Sequence, residues 1–260
     1  MFIFNRILLS LHRDRSANQF ARHNFLLKHT AQDITERVCD YKQEYDLALD
    51  LGCYSGEFQK CLPQTNIKIR QLIQTDISYK MLQKTNGTKL QVDEELLPFA
   101  ENVFDLVVSN LNLHWINDLP GVLMQINHIL KPQGIFVATI LGGKTLIELR
   151  KIFIEAESSL GRPVSSRISP MIDAADTSSL LQRAKFSKVV TDVSTMTISY
   201  PDINKLMLDL RGMAQSNCLD NVPAISSDTL QLAQSLYQEK YSDHSRLIAT
   251  YEIITLRGIK

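Results

Sequence analysis

The sequence predicts a doubly wound α/β domain, and three observations carry that prediction. Short apolar runs alternate with amphipathic stretches five times within about 95 of the 260 residues, the order expected of βα units in a parallel sheet. The fourth run, residues 103–109, is almost wholly apolar, as a strand covered on both faces must be. Acids stand at the ends of the first three runs, at Asp50, Asp76 and Asp93, and right-handed crossovers gather such strand ends on one edge, where ligands bind.

Residues 1–46 read as a helical arm, with Phe20, Leu26, Leu27 and Ile34 apolar between polar residues. Residues 47–51 form a short run that enters a Gly-containing loop, the pattern of a buried strand meeting a turn. A helix starts at residue 57 and Pro63 stops it. Residues 67–75 read as the second strand. Residues 78–84 read as a short helix with Ser78 as N-cap, because its hydroxyl can accept from the first turn. Residues 89–92 and 103–109 are the third and fourth strands. Residues 119–130 form an amphipathic helix broken by Lys131-Pro132-Gln133-Gly134, and residues 135–141 are the fifth strand. Beyond it, helices are expected over 144–160, 178–184, 203–213 and 229–241, with a loop over 161–170 and strands over 189–198 and 247–256.

Hydrophobic residues make up 44% and charged residues 22% of the chain, which excludes collagen, coiled coil and wholesale disorder. The 28 Lys and Arg balance 28 Asp and Glu, so no whole-molecule field favours nucleic acid. Cys39, Cys53, Cys61 and Cys218 form no C-x-x-C pair, and a reduced, cytosol-like compartment is expected. The apolar N-terminus contains Arg6 and has no charged region ahead of it, so a signal peptide is not expected. No apolar run is long enough for a transmembrane helix. Residues 1–30 carry five basic side chains (Arg6, Arg13, Arg15, Arg22, Lys28) and one acid, Asp14. This arm reads either as a solvated cover over a pocket or as a weak peripheral contact with an anionic surface.

The loop after the first run is Asp50-Leu51-Gly52-Cys53-Tyr54-Ser55-Gly56, where glycines permit tight turning and close approach of backbone to a ligand. Asp76 lies 20 residues beyond Gly56, the place of an acid that accepts from ribose hydroxyls. Asp93 and Glu94 end the third strand, where a carboxylate can accept from an adenine amino group. Residues 90–118 carry six acids and no Lys or Arg. That field disfavours a pyrophosphate and suits a cationic nucleoside, such as S-adenosylmethionine.

These strings, with Phe104-Asp105-Leu106-Val107-Val108-Ser109 and the turn Leu130–Gly134, resemble the successive motifs of the class I S-adenosylmethionine-dependent methyltransferases. The resemblance implies their Rossmann-like fold: a seven-stranded, mostly parallel sheet with helices on both faces, an N-terminal helical arm and helical lid insertions. It implies S-adenosylmethionine as cofactor, contacted by Asp50, Leu51, Gly52, Cys53, Gly56, Asp76, Ile77, Asp93, Glu94, Ser109 and Asn110. One departure stands out. The usual middle glycine of the loop is Tyr54, whose side chain either narrows the methionine end or points outward.

Further strings extend the likeness over nearly the whole chain: Leu113-His114-Trp115-Ile116-Asn117-Asp118, Gly142-Gly143-Lys144-Thr145-Leu146, Arg167-Ile168-Ser169-Pro170 and the run from Asp209 to Asn217. They resemble the family of the mitochondrial complex I assembly factor that hydroxylates an arginine. Bacterial relatives labelled methyltransferases, and the malonyl-carrier-protein methyltransferase, lie nearby. The resemblance thus implies two chemistries on one scaffold, and fold alone does not choose between them.

His114 and Trp115 follow the fourth strand, where this fold presents acceptor-side residues. His114 reads as a catalytic base or iron ligand, or as a polar residue bonded to a loop. Trp115 reads as pocket wall or core filler, and His128 as a surface residue. Arg150, Arg167 and Arg211 are candidates for holding a carboxylate or phosphate of the acceptor, against a reading as surface ion pairs. No two-His, one-carboxylate metal pattern stands out. The expected organisation is an arm over 1–46 and a methyltransferase-fold domain over 47–260, with a cofactor core at 47–141 and lids at 142–172 and 201–245. Methyl transfer is the first expectation. Arginine hydroxylation in complex I assembly is the second, and a cofactor-binding assembly chaperone without turnover the third. The acceptor is expected to be a protein or carrier-bound group, with a respiratory-complex subunit as partner through the resemblance. A monomer, cytoplasmic or peripheral to the inner membrane, is favoured.

Overall fold

The computed structural model describes residues 2–260, so that Met1, the first residue of the expected arm, lies outside them. Five strands run parallel: β1 (Glu44–Leu51), β2 (Lys68–Asp76), β3 (Thr88–Gln91), β4 (Phe104–Asn110) and β5 (Leu130–Leu141). Two long antiparallel strands, β6 (Ser187–Tyr200) and β8 (Arg246–Ile259), complete the order β3-β2-β1-β4-β5-β8-β6. The pair Ser242–Asp243, β7, adds a short eighth piece beside β8. The expected seven-stranded, mostly parallel sheet is therefore present.

Alternation along the central strands explains the two-sided burial. Val107, Phe136, Ala138 and Ile140 join α5 (Leu119–Ile129) and α7 (Ala174–Arg183) in one core. Leu106, Val108, Ile135 and Val137 face the opposite core, with α2 (Phe25–Cys39) and α3 (Glu57–Cys61). Successive side chains on a strand point to opposite faces, so each strand feeds both cores.

A third core belongs to the lid. β5 pairs with β8 only as far as Leu141 opposite Ile253. The earlier half of β8 pairs with β6, down to Leu247 opposite Tyr200, and at its start also with β7. This ribbon overhangs the strand C-terminal edge. Its Tyr200, Leu247, Ala249 and Tyr251 pack with α6 (Ile147–Ser159), α8 (Ile203–Gly212) and α9 (Ser227–Lys240). Helices of the two segments expected as lids, 142–172 and 201–245, thus pack together as one unit on this antiparallel ribbon.

The structure differs from the sequence reading in several places. The arm does not extend to residue 46. Its first helix, α1 (Arg6–Ser16), lies across the strand edge, but α2 is a layer of the main fold, with Ala31, Ile34 and Val38 fully buried. An amphipathic pattern identifies a helix and its buried face, not the partner of that face. Residues 131–134 loop out of β5, which opens already at Leu130 opposite Phe104. α7 starts four residues before the expected 178, because the Asp173 carboxylate accepts from Ala175 N at 3.0 Å and caps it. Ser78 caps α4 (Tyr79–Leu82) as expected, accepting from Met81 N at 3.1 Å. The four cysteines are unpaired. Among the described residues no helix is long and apolar enough to cross a membrane.

If α2 is a layer of the fold, Ile34→Ala removes buried methyl groups from a close-packed site and destabilises the protein by about 2–4 kcal/mol. Urea unfolding measures this, and a loss under about 0.5 kcal/mol would return α2 to the arm.

Candidate functional site

The strand edge is acidic, and the N-terminal arm answers its charge. Asp76, at the end of β2, and Glu94, beyond β3, are fully buried. Arg13 of α1, itself fully buried, donates from Nη1 to Asp76 Oδ2 at 2.9 Å and to Glu94 Oε1 at 3.4 Å. Its Nη2 donates to Tyr54 Oη at 3.2 Å and to Asn112 Oδ1. Arg6, two helical turns earlier, binds Asp93 at 2.7 Å, Glu94, and the Trp115 carbonyl at 3.2 Å. Burial alone would lower the basicity of Arg13, but Asp76, Tyr54 and Glu94 outweigh it and raise the group above its ordinary value. In the sequence Arg6 and Arg13 are two of five basic residues of the arm, with nothing local to distinguish them.

Asp50, at the end of β1, is treated differently. It is buried, and neither carboxylate oxygen has a hydrogen-bond partner. Burial, reinforced by Glu57 and Asp76, pushes its pKa up to about 8 against the opposing pull of the neighbouring Gln74 amide. Beside it, Gly52 has φ +70°, and a Cβ there would lie 2.1 Å from Asn112 Nδ2. No larger residue fits that approach. Asn112 Nδ2 is another buried donor without a partner.

Tyr54 holds the position where a glycine was expected, and its φ of +50° gives the physical reason glycine is usual there. Its ring does not point outward. It stacks on Phe20, with centroids 5.5 Å apart and planes 9° from parallel. The Arg13 guanidinium carbon lies 4.2 Å from the ring centroid, a cation–π arrangement. The hydroxyl donates to the Leu111 carbonyl at 2.9 Å and accepts from Arg13 and from Gln215 Nε2 at 3.0 Å.

Gln215 comes from the lid and joins three parts of the site. Its Oε1 accepts from Trp115 Nε1 at 3.1 Å and lies 3.0 Å from His114 Nε2. Since the Trp115 indole N–H can only donate, Oε1 is the acceptor for both, which places the His114 proton on Nε2. His114 Nδ1 then accepts from Leu141 N at 3.4 Å. Burial brings the His114 pKa down to about 4, against the opposing pull of Gln215. The ring is neutral near pH 7, with both nitrogens engaged. Trp115 is at once core and wall: it packs edge-on against Phe4 and lines the adjacent cavity. Gln215 lies within the run from Asp209 to Asn217, and nothing in its type or spacing marks it.

The other expected site residues are placed as follows. Cys53 is buried, its N–H donating to Thr75 O. The Ile77 carbonyl accepts from Ser10 Oγ. Ser109 Oγ donates to the Leu51 carbonyl at 2.8 Å. Asn110 turns toward α2, bonded to Thr30 and to the Leu27 carbonyl, while Asn112 faces Arg13 and Gly52. Leu51 and Gly56 flank the loop, and Gly56 has φ +82°. His128 is on the surface, as expected. Among the described residues no group of three His, Cys, Asp or Glu is arranged to hold a metal.

A cavity of about 700 Å³ lies between α1, the lid and Trp115. Its walls are largely apolar, from Leu8, Leu149, Phe153, Met171 and Met207. Arg15, Arg167 and Arg211 contribute its cations, and no Asp or Glu lines it among the described residues. Arg167 is committed to Glu157 at 2.5 Å, in a buried ion pair and not a surface one. Arg150 does not line the cavity and reaches the Ser169 carbonyl at 3.3 Å. Arg15 and Arg211 are exposed and make no ion pair among the described residues.

Comparison with known proteins places this arrangement. A family described as "Methyltransferase domain" matches residues 49–138. The mitochondrial protein "Arginine-hydroxylase NDUFAF5" of Rattus norvegicus is 39% identical over 267 residues, covering 99% of this chain and 77% of that one. The chain belongs to the NDUFAF5 arginine-hydroxylase family. A member of the wider group, "Malonyl-[acyl-carrier protein] O-methyltransferase" of Methylovorus sp., is 30% identical over 257 residues, covering 93% and 84%. Among solved structures, the YcgJ protein of Bacillus superposes with TM-score 0.60 at 15% identity, covering 89% and 98%. A SAM-dependent methyltransferase from Archaeoglobus fulgidus gives 0.55 at 14%, covering 93% and 99%. These confirm the Rossmann-like methyltransferase fold, and the family implies S-adenosylmethionine. The residues at the edge fit that molecule: the partnerless Asp50 suits an ammonium group, and Asp76 and Glu94 suit hydroxyl and amino donors. Arg13 stands on the latter two.

Two outcomes follow from this geometry. Tyr54→Phe keeps the ring but leaves Arg13 and Gln215 short of a buried acceptor, and should lower stability by roughly 1–3 kcal/mol in urea unfolding. For His114 the neutral form is favoured by folding, so between the usual imidazole value and about 4 the unfolded chain binds more protons and stability falls as pH falls. The wild-type loss over that window should exceed that of His114→Gln, and identical pH profiles would contradict the neutral, buried assignment.

Proposed function

We propose that this chain is an S-adenosylmethionine-dependent methyltransferase whose acceptor is a carboxylate on an apolar body, held in the cavity beside Trp115. The cavity wall carries this reading. It offers unpaired Arg15 and Arg211 and no carboxylate. A guanidinium brought into such a space would keep its charge without a counter-ion, which is costly. A carboxylate would find charge-assisted donors.

The neutral His114 agrees with this. An ionised carboxylate acceptor needs no general base, and His114 has both nitrogens engaged. The bound cofactor supplies an electrophilic methyl on a sulfonium. In this reading Asp50 accepts from its ammonium group, Asp76 from its ribose, and Asp93 and Glu94 neighbour its adenine. Gly52 lets the backbone approach. Trp115 and Gln215 close the cavity against water, so that catalysis rests on orientation and desolvation. Arg211, rather than Arg150 or Arg167, is the lid residue free to hold the acceptor.

Arginine hydroxylation is the second reading. It is favoured by the name and the 39% identity of the rat relative, and with it a respiratory complex I subunit as partner. A cofactor-binding assembly chaperone is the third. Mass spectrometry separates them. The full-length protein is incubated with S-adenosylmethionine and, in turn, a malonyl thioester of acyl carrier protein and an arginine-containing peptide. The expected result is a gain of one methylene unit on the malonyl carboxylate. With dioxygen and a two-electron reductant supplied to the peptide arm, one oxygen added to its arginine would establish hydroxylation, and an unchanged pair of acceptors would sink both enzyme readings for these probes.

A further inference from the structure

We propose that α1 is a strap that competes with the cofactor: Arg13 holds Asp76 until the cofactor takes its place, and binding thereby releases the helix from the strand edge. This rests on the reading that Asp50 and Asp76 belong to the cofactor site.

The competition is visible at Asp76. Its Oδ1 accepts from Ser78 N at 2.8 Å, and its Oδ2 from both Tyr54 N and Arg13 Nη1 at 2.9 Å. The backbone donors belong to the sheet edge and stay with it. Arg13 is the one partner that arrives on a separate element, and a ribose can reach Oδ2 only where Arg13 gives it up.

The latched arrangement also leaves polar groups unsatisfied. Arg13 Nε, Asn112 Nδ2 and both Asp50 oxygens are buried without a partner. Each such group forfeits solvation without recovering a bond. Arg13 therefore neutralises the acids but completes the site poorly. A ligand carrying both donors and acceptors would complete it better.

The strap is held mainly by polar contacts. Within α1 only Leu9, Arg13 and Ser16 are buried. Leu9 joins a small separate cluster with Phe4, Trp115 and Cys218, while Ile7 and Leu11 are exposed. The remaining ties are polar: Arg6 to Asp93, Glu94 and the Trp115 carbonyl, Ser10 Oγ to Ile77 O at 3.3 Å, and Asp14 Oδ1 accepting from Ser78 Oγ at 2.5 Å and from Lys80 N at 3.4 Å. Little apolar area opposes lifting, and elements of that kind sit at the low-stability end of a fold. Leu8, His12, Arg15 and Ser16 of the same helix wall the cavity. Lifting α1 therefore remodels the acceptor side as the cofactor enters, which couples the two sites.

The test uses S-adenosylhomocysteine, which carries no transferable methyl. It is titrated calorimetrically into the full-length wild type, Arg13→Met and Asp14→Ala, and hydrogen exchange follows the amides of residues 6–16. Arg13→Met should bind about tenfold tighter, Asp14→Ala about threefold tighter, and exchange over 6–16 in the wild type should accelerate about tenfold on saturation. If Arg13→Met does not fold, Asp14→Ala and the exchange rates decide. Equal or weaker binding by the variants, or slower exchange over 6–16, overturns the strap and leaves the cofactor reading standing. No binding by any of the three proteins removes the cofactor reading and the strap with it.

Discussion

A single buried guanidinium organises the active edge. Arg13 lies among Asp76, Glu94, Asn112 and the Tyr54 ring with no exposure to solvent. Taking a cation and two carboxylates out of water carries a desolvation cost of several kcal/mol per ion, recovered only where geometry is good and the remaining donors are met. Here the recovery is incomplete, since Nε has no partner. The overall charge of zero conceals this arrangement. An acidic strand edge and a basic arm are separated along the chain and brought face to face by the fold.

Around that cation the fold distributes its parts by reach. The parallel strands end where they place Asp50 and Asp76 and go no further. The β6–β8 ribbon runs on past the end of β5 and supports the lid. From the lid, Gln215 returns to the loop after β4 and to Tyr54. The hydroxyl of Tyr54 is therefore a junction of arm, lid and sheet. A displacement of any one of the three alters a hydrogen bond to the other two.

How much of this could be read in advance follows from how local each signal is. The central strand β4 was legible because two-sided burial writes itself as a continuous apolar run, whereas the exposed edge strand β3 was legible only from its place in the alternation. The Ser78 cap was legible because capping is a matter of a few residues. The acids at Asp50, Asp76 and Glu94 were legible because strand ends are countable. The place of α2 was not, since its pattern names a buried face without naming what covers it. Arg13 was indistinguishable from Arg15 and Arg22, because its burial depends on acids 63 and 81 positions away. Asn112 lost to Asn110 for a similar reason. Two asparagines so close at a strand end differ only in the direction the backbone turns, and Leu111 between them has φ +46°.

Tyr54 bears on how such proteins are found. A left-handed position normally selects glycine, at a cost of about 1–2 kcal/mol for other residues. Phe20 stacks on this ring, the Arg13 guanidinium lies 4.2 Å from its centroid, and three hydrogen bonds fix its hydroxyl. The compensation comes from outside the loop: Phe20 and Arg13 of the N-terminal segment, with Leu111 and Gln215 at the hydroxyl. A glycine-rich pattern drawn on the loop alone would pass over this chain. A pattern that admits an aromatic residue there, when an upstream helix carries an arginine and is followed by a phenylalanine, would retain it.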